Sequence, residues 1–212
     1  MSRGNYHHGD LKAALVAAAE TIIRDEGVEG FTLRKAASHA GVSPGAPSHH
    51  FGDMRGLLTA LAIRVFGQLG AALSAYQPTD RAACNLRNQA EGYVRFAAAN
   101  PGLFRLICRV DLINGKDPAL LEASFVALEG FGNAIAAYFD QEAPGRERRT
   151  LRPHLAGAMA TAHGLAHMVI EGRPALLFET PDPVQTFLEE SLPVILTTTW
   201  PDRQSNQENS CG

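Results

Sequence analysis

The chain is poor in cysteine, and its few cysteines stand far apart. Its 212 residues include only Cys84, Cys108 and Cys211, and no CxxC spacing occurs. Because structural zinc sites and redox-active thiol pairs use closely spaced cysteines, the sequence predicts neither. We therefore expect no cofactor and no metal site.

The sequence also lacks a long uninterrupted apolar run and a secretion signal. A membrane-spanning helix needs about 18 apolar residues or more, and the N-terminal stretch MSRGNYHHGD has no apolar core. These absences predict a cytoplasmic protein with no membrane partner. A formal net charge of −3 disfavours non-specific coating of nucleic acid, but it allows a locally basic surface.

Strand signals are nearly absent, whereas apolar residues recur at helical spacing along most of the chain. Leu11, Leu15, Ala18 and Ile22 follow steps of four, three and four, which place them on one helix face. The same spacing recurs in later segments. The sequence therefore predicts an all-α fold of about nine helices.

Residues that favour helix ends divide these segments. Asp10 and Asp53 precede apolar stretches, where a carboxylate can accept hydrogen bonds from first-turn amides. Gly27 and Gly41 follow such stretches, and glycine is common just beyond a helix. Pro193 lies inside the last predicted helix, which its missing N–H should kink or shorten.

The stretch VSPGAPSHHF, residues 42 to 51, predicts the second helix of a helix-turn-helix. A short helix begins after Thr32, a tight turn follows at Gly41, and Ser43 is the predicted cap of a second short helix. Pro44 would then occupy the first helical position, where proline is favoured. In a helix-turn-helix the second helix lies in the DNA major groove.

The sequence resembles one family over nearly its whole length. FTLRKAASHAGVSPGAPSHHFGDMRGLL resembles the DNA-binding segment of the TetR family of bacterial transcriptional regulators, and LKAALVAAAETIIRDEGVEG is similar to the family's first helix and following loop. NPGLFRLI and AHGLAHMVIEG resemble the C-terminal ligand domain of one branch, often called the WHG domain.

The resemblance implies an N-terminal helix-turn-helix domain and a C-terminal helical domain that binds a ligand and dimerises. We expect a flexible arm over 1–8, in which Arg3 follows the minor groove, and the DNA-binding domain over 9–69. The ligand-binding and dimerisation domain covers 70–199, and a disordered tail covers 200–212. The apolar helices near 153–172 and 183–198 are the expected interface of a homodimer.

The expected DNA contacts lie in the two short helices and their turn. Two positions depart from the family pattern: Ser48 stands where tyrosine is usual, and Met54 stands where lysine is usual. Arg55, next to Met54, is a candidate replacement for that lysine. The predicted DNA-contacting residues are Thr32, Arg34, Ser43, Pro44, Gly45, Ala46, Ser48, His49 and His50.

Large side chains in the middle helices predict a site for a small hydrophobic effector, because such sites are mainly apolar with a few polar groups. The resemblance implies a ligand-responsive regulator that binds a palindromic operator in double-stranded DNA, most simply a repressor released by its effector. The predicted effector contacts are Tyr93, Phe104, Phe125, Phe131 and His163.

Two rival interpretations remain open at this point. His163 and His167 share a helix face with Glu171, which would suit a metal-dependent enzyme built on a helical bundle. Alternatively, Ser48 and Met54 favour a ligand-binding protein whose helix-turn-helix has lost its affinity for DNA.

Overall fold

The structure is a computed structural model that describes residues 8–140 and 151–202. These ranges contain helices and no strand, which confirms the all-α prediction. The described ranges contain nine helices, if the last two α-helical segments and the π-helical turn between them are counted as one, and a 3-10 turn between the eighth and the ninth. They are α1 (His8–Glu26), α2 (Leu33–His39), α3 (Ala46–Phe51), α4 (Met54–Ser74), α5 (Ala82–Ala99), α6 (Pro101–Cys108), α7 (Pro118–Asp140), α8 (Arg152–Ile170), a 3-10 turn (Arg173–Leu176), α9 (Pro183–Thr186), the π-helical turn (Phe187–Ser191) and α10 (Leu192–Thr199).

Most predicted helix ends agree with the structure. Asp53 Oδ1 accepts a hydrogen bond of 2.8 Å from the amide of Gly56 at the start of α4, and Gly27 directly follows α1. The prediction for Asp10 is wrong, because α1 begins at His8 and Asp10 therefore lies within its first turn.

The last helical segment contains the irregularity that Pro193 predicts. In the π-helical turn, the amide of Leu192 donates to the carbonyl of Phe187, five residues earlier. In this register the donor for the Leu188 carbonyl would be residue 193, and proline has no N–H. Arg95 Nη2 donates to the Leu188 carbonyl at 3.1 Å instead.

Contacts between Cα atoms divide the chain into two compact units. The first unit comprises Met1–Ala71 and Ala99–Ala127, and the second comprises Ala72–Ala98 and Leu128–Gly212. The first break lies close to the expected boundary after residue 69. Residues 99–127, which the sequence places in the C-terminal domain, group with the first unit instead.

The chain beyond α10 is ordered for longer than the sequence suggests. Trp200 is 3% exposed, and Arg87 Nη2 contacts both carboxylate oxygens of Asp202 at 3.1 and 3.0 Å. The disordered tail expected from residue 200 therefore does not include 200–202. The remainder of that tail, most of the N-terminal arm with Arg3, and residues 141–150 lie outside the described residues.

Among the described residues, α4 and α7 are long and apolar enough to cross a bilayer by length and composition alone. This is weak support for a membrane role, because the core helix of a soluble protein passes the same test. In α4, the side chains of Leu57, Leu61 and Leu69 are fully buried within the protein.

A charged cluster centred on Glu20 joins three helices of the first unit. Glu20 Oε1 accepts hydrogen bonds of 2.9 Å from both Arg24 Nη2 and Gln68 Nε2. Its Oε2 lies 2.7 Å from Arg64 Nε, and Arg24 Nη1 also donates to Asn100 Oδ1 at 2.6 Å. The Glu20 cluster therefore links α1 to α4 and to the start of α6.

Opposing effects act on the Glu20 carboxyl. Burial alone would raise its pKa, but the hydrogen bonds from Gln68 and Arg24 and the positive charges of Arg64 and Arg24 lower it. The net pKa of Glu20 lies below its usual value. Because the folded state favours the ionised form, Glu20 contributes stability above its unfolded pKa and loses that contribution as pH falls through the folded pKa.

We expect Glu20→Gln to lower the free energy of unfolding at pH 7 by about 2 kcal/mol, because two arginines lose the carboxylate that accepts their hydrogen bonds. The difference from wild type should shrink as pH falls below about 4.5, the ordinary pKa of a glutamate carboxyl, and disappear once the carboxylate of the folded protein is protonated. Urea denaturation at several pH values measures both effects. Glu122→Gln, the same change at an exposed site on α7, is the control, and equal losses in the two variants would contradict the role of the Glu20 cluster.

Candidate functional site

The helix-turn-helix consists of α2, α3 and the residues between them. After α2, the amide of Gly41 donates to the carbonyl of Ser38 at 3.2 Å, and the amide of Val42 donates to the carbonyl of Ala37 at 3.0 Å. This pair of hydrogen bonds requires a left-handed residue, which Gly41 provides with φ of 68°. The turn thereby satisfies the last carbonyls of α2.

The cap predicted at Thr32 is confirmed. Its side chain accepts a hydrogen bond of 3.2 Å from the amide of Lys35, in the first turn of α2. Phe31, just before it, is 4% exposed, and Ala36 and Ala37 on the inner face are buried. The outer face of α2, with Arg34, is exposed.

The second helix starts later than the sequence predicts. Ser43 does not cap a helix that begins at Pro44; α3 begins at Ala46, and Gly45 is its N-cap without a side-chain hydrogen bond. A helix capped at Ser43 would need an N–H at residue 47, which is Pro47. The Ser43 carbonyl instead accepts a hydrogen bond of 3.0 Å from the amide of Ala46, which forms a turn before α3.

Most residues predicted to contact DNA are exposed in this motif. Ala46 and His50 are half-buried, and the rings of His49 and His50 lie edge to face at 5.2 Å. Pro47 is buried and therefore packs against the protein. The exposed members of the predicted set are Thr32, Arg34, Ser43, Pro44, Gly45, Ser48 and His49.

The two adjacent basic residues of α2 differ in their partners. Lys35 Nζ contacts the carboxylate of Glu26 and donates to the carbonyl of Gly30 at 3.0 Å. Within the described ranges, no ion pair or hydrogen bond engages the side chain of Arg34. Arg34 is therefore the cation on α2 that is available to an external anion.

Arg55 does not take the place of the lysine that Met54 replaces. Its Nε donates to the carbonyl of Ile113 at 3.0 Å, and its Nη2 donates to the carbonyl of Val110 at 3.3 Å. The guanidinium is thus held by the backbone between α6 and α7. The suggestion that Arg55 reaches a phosphate is not supported in this conformation.

Three of the five predicted effector contacts come together in the second unit. Tyr93 Oη lies 3.1 Å from His163 Nδ1, and the ring of Tyr93 lies 6.2 Å from that of Phe131. Tyr93 and Phe131 are buried. Burial and the neighbouring His167 lower the pKa of His163, so the imidazole is neutral at pH 7.

The other two predicted effector contacts have different surroundings. Phe104, which belongs to the first unit, is fully buried, whereas the side chain of Phe125 on α7 is 66% exposed. The interior position predicted for Phe125 is therefore not supported.

The hydrogen bond between Tyr93 and His163 joins residues 70 positions apart, and no signal in the sequence indicates it.

Two family models match the sequence. Residues 15–61, which include α2 and α3, match the model described as bacterial regulatory proteins, tetR family. Residues 86–192, half of the chain, match the model described as the tetracyclin repressor-like C-terminal domain. Among curated proteins, none matches the sequence significantly.

Solved structures share the fold. A protein with unknown function from Rhodococcus sp. RHA1 is 30% identical over 93% of this chain and 97% of its own, with a TM-score of 0.71. A regulatory protein in the tetR family from Rhodococcus RHA1 is 19% identical over 92% of this chain and 98% of its own, with a TM-score of 0.64. A TetR family transcription regulator from Marinobacter aquaeolei VT8 is 19% identical over 92% of this chain and 97% of its own, with a TM-score of 0.62.

Two glycines of the helix-turn-helix form a matched pair for a stability measurement. A Cβ at either Gly41 or Gly45 would meet no other atom within 4 Å, but φ is 68° at Gly41 and −83° at Gly45. We expect Gly41→Ala to lower the free energy of unfolding by about 1–2 kcal/mol, and Gly45→Ala to change it by about 0.5 kcal/mol or less. Thermal and urea denaturation measure both; equal effects would contradict the left-handed turn.

Proposed function

The chain belongs to the TetR family of bacterial DNA-binding transcription regulators, and we propose that it represses transcription from a palindromic operator until a small hydrophobic effector releases it. The single observation that carries the DNA-binding part is the exposed stretch of the helix-turn-helix. The members of this family are regulators and not enzymes, so the metal-dependent enzyme suggested by His163 and His167 is set aside.

The residues at the start of α3 support close approach to a DNA duplex. Gly45 is exposed and has no side chain, and Ala46 is small and half-buried, so a groove edge can come near the backbone. Ser48 and His49 are exposed one turn later. Arg34 supplies a positive charge for a phosphate, which is the largest source of non-specific affinity for DNA.

A homodimer would present two copies of this motif to DNA, and together they would contact enough base pairs to recognise a specific operator. Two half-sites about 34–36 Å apart, one turn of DNA, match a dimer with twofold symmetry. In support, α8 exposes small uncharged residues (Ala156, Gly157, Ala160 and Gly164), where another helix can pack closely. Val194 on α10 is 64% exposed and offers a larger apolar contact.

Selection of bound sequences from random double-stranded DNA tests the operator and the dimer together. We expect a palindrome with half-sites one helical turn apart. Arg34→Ala should weaken binding to the selected DNA by about tenfold and reduce the salt dependence, because a phosphate contact is lost.

Arg152→Ala removes the same charge from an exposed position in the second unit and should leave DNA affinity unchanged. Selection of a single unrepeated half-site would contradict the dimer. Failure to select any sequence would favour a ligand-binding protein with a decayed helix-turn-helix. The side chains of Lys35 and Arg55 are consistent with that alternative, because both contact groups of the protein itself.

The group formed by Tyr93, Phe131 and His163 is the proposed effector site. The buried rings of Tyr93 and Phe131 provide apolar surface, and the phenol hydroxyl of Tyr93 and the neutral imidazole of His163 provide polar groups. This combination suits an apolar compound with one hydrogen-bonding group. Such a compound can release DNA only if it binds the free and DNA-bound states with different affinity.

We expect Tyr93→Phe to weaken binding of the effector about fivefold, the equivalent of about 1 kcal/mol for one hydrogen bond. Small hydrophobic compounds that raise the melting temperature of the protein are the candidates, and calorimetry measures their affinity. The same compounds are then added to the protein–operator complex. A compound whose binding depends on Tyr93 but leaves operator affinity unchanged would contradict release by the effector.

A further inference from the structure

His163 and His167 form a pair of imidazoles on one face of α8. They are four residues apart, their ring centroids are 4.6 Å apart, and the ring planes are inclined at 59°. A ring nitrogen of each lies within 4.8 Å of a ring nitrogen of the other. The side chain of His167 is 36% exposed, so an ion can reach the pair from solvent.

Each imidazole has an oxygen of the protein on its Nδ1 side. His163 Nδ1 lies 3.1 Å from Tyr93 Oη, and His167 Nδ1 lies 3.9 Å from Glu171 Oε1. Histidines that coordinate a metal usually hold one ring nitrogen against an oxygen of the protein and bind the ion through the other. Tyr93 supplies such an oxygen to His163 at hydrogen-bond distance, and the carboxylate of Glu171 lies close enough to His167 to supply one after a small side-chain movement.

We propose that His163 and His167 bind one divalent transition metal ion, of the class of Zn²⁺, Ni²⁺ or Cu²⁺. Imidazole nitrogen suits these ions, whereas Mg²⁺ and Ca²⁺ require a set of oxygen ligands. Metal–nitrogen distances of about 2.0–2.1 Å bring two nitrogens of a tetrahedral site to about 3.3 Å of each other. Rotation of the His167 side chain, which is partly exposed, would bring its ring nitrogen to this distance from that of His163.

This inference goes beyond the proposed function, because it concerns a second kind of ligand and holds whether or not the protein binds DNA. The i,i+4 spacing of two histidines is by itself a weak signal for a metal ion, and no metal site is expected from the sequence alone. The structure adds the contact of Tyr93 with His163, which the spacing alone does not reveal, and the close approach of the two imidazole rings.

Calorimetric titration of the full-length, untagged and chelator-treated protein with Zn²⁺ or Cu²⁺ tests the site. We expect one ion per chain, and electron paramagnetic resonance of the Cu²⁺ form should show coupling to two imidazole nitrogens. His167→Ala and His163→Ala should each weaken binding by tenfold or more. Tyr93→Phe should weaken it by about tenfold, as loss of an outer oxygen does.

Other histidines provide the controls. His154→Ala removes an imidazole that stacks on Phe139 at 4.1 Å, and His49→Ala removes one from the helix-turn-helix; both variants should bind the ion as wild type does. If His163→Ala fails to fold, the result for His167→Ala still tests the proposal, because the His167 side chain is partly exposed and its removal should leave the fold intact. Absence of stoichiometric binding, unchanged binding in His167→Ala, or loss of binding in either control would overturn the proposal.

Discussion

The first unit depends on a carboxylate that is mostly shielded from water yet ionised. Glu20 is held by donors from α1 and α4, and one of those donors, Arg24, also contacts Asn100, the N-cap residue of α6. Helices as short as α2 and α3 have little stability of their own. They keep their positions because α1, against which α2 packs, is fixed by the Glu20 cluster and by fully buried side chains such as Leu15 and Ile23.

Close backbone packing adds to this constraint at the same end of α1. A Cβ at Gly102 would lie 2.3 Å from the carbonyl oxygen of Ile23, so only glycine allows α6 to sit where it does. The segment after α6 is fixed as well: Arg55 donates to two of its carbonyls, and Thr59 Oγ1 accepts a hydrogen bond of 2.9 Å from the amide of Asn114. These contacts explain why residues 99–127 group with the first unit.

Local rules predicted the helices well, because spacing of apolar residues and capping side chains act over a few residues. These rules failed at Pro47. Proline is tolerated early in a helix, but the missing N–H of Pro47 prevents a helix capped at Ser43, and α3 therefore starts later. They failed for charges too, since the sequence shows Lys35 and Arg55 but not the distant groups that engage them. The pairing of Tyr93 with His163, and the exposure of Phe125, depend on tertiary packing that no short motif encodes.

Pro44 and Pro47 bracket the start of α3, and each ring fixes one backbone torsion in the free protein. A segment with fewer accessible conformations loses less entropy when it is immobilised against a binding surface. The leading end of α3 is therefore preorganised: its shape is set before any partner arrives. A binding surface that already matches this shape would therefore immobilise the segment at a smaller cost in conformational entropy.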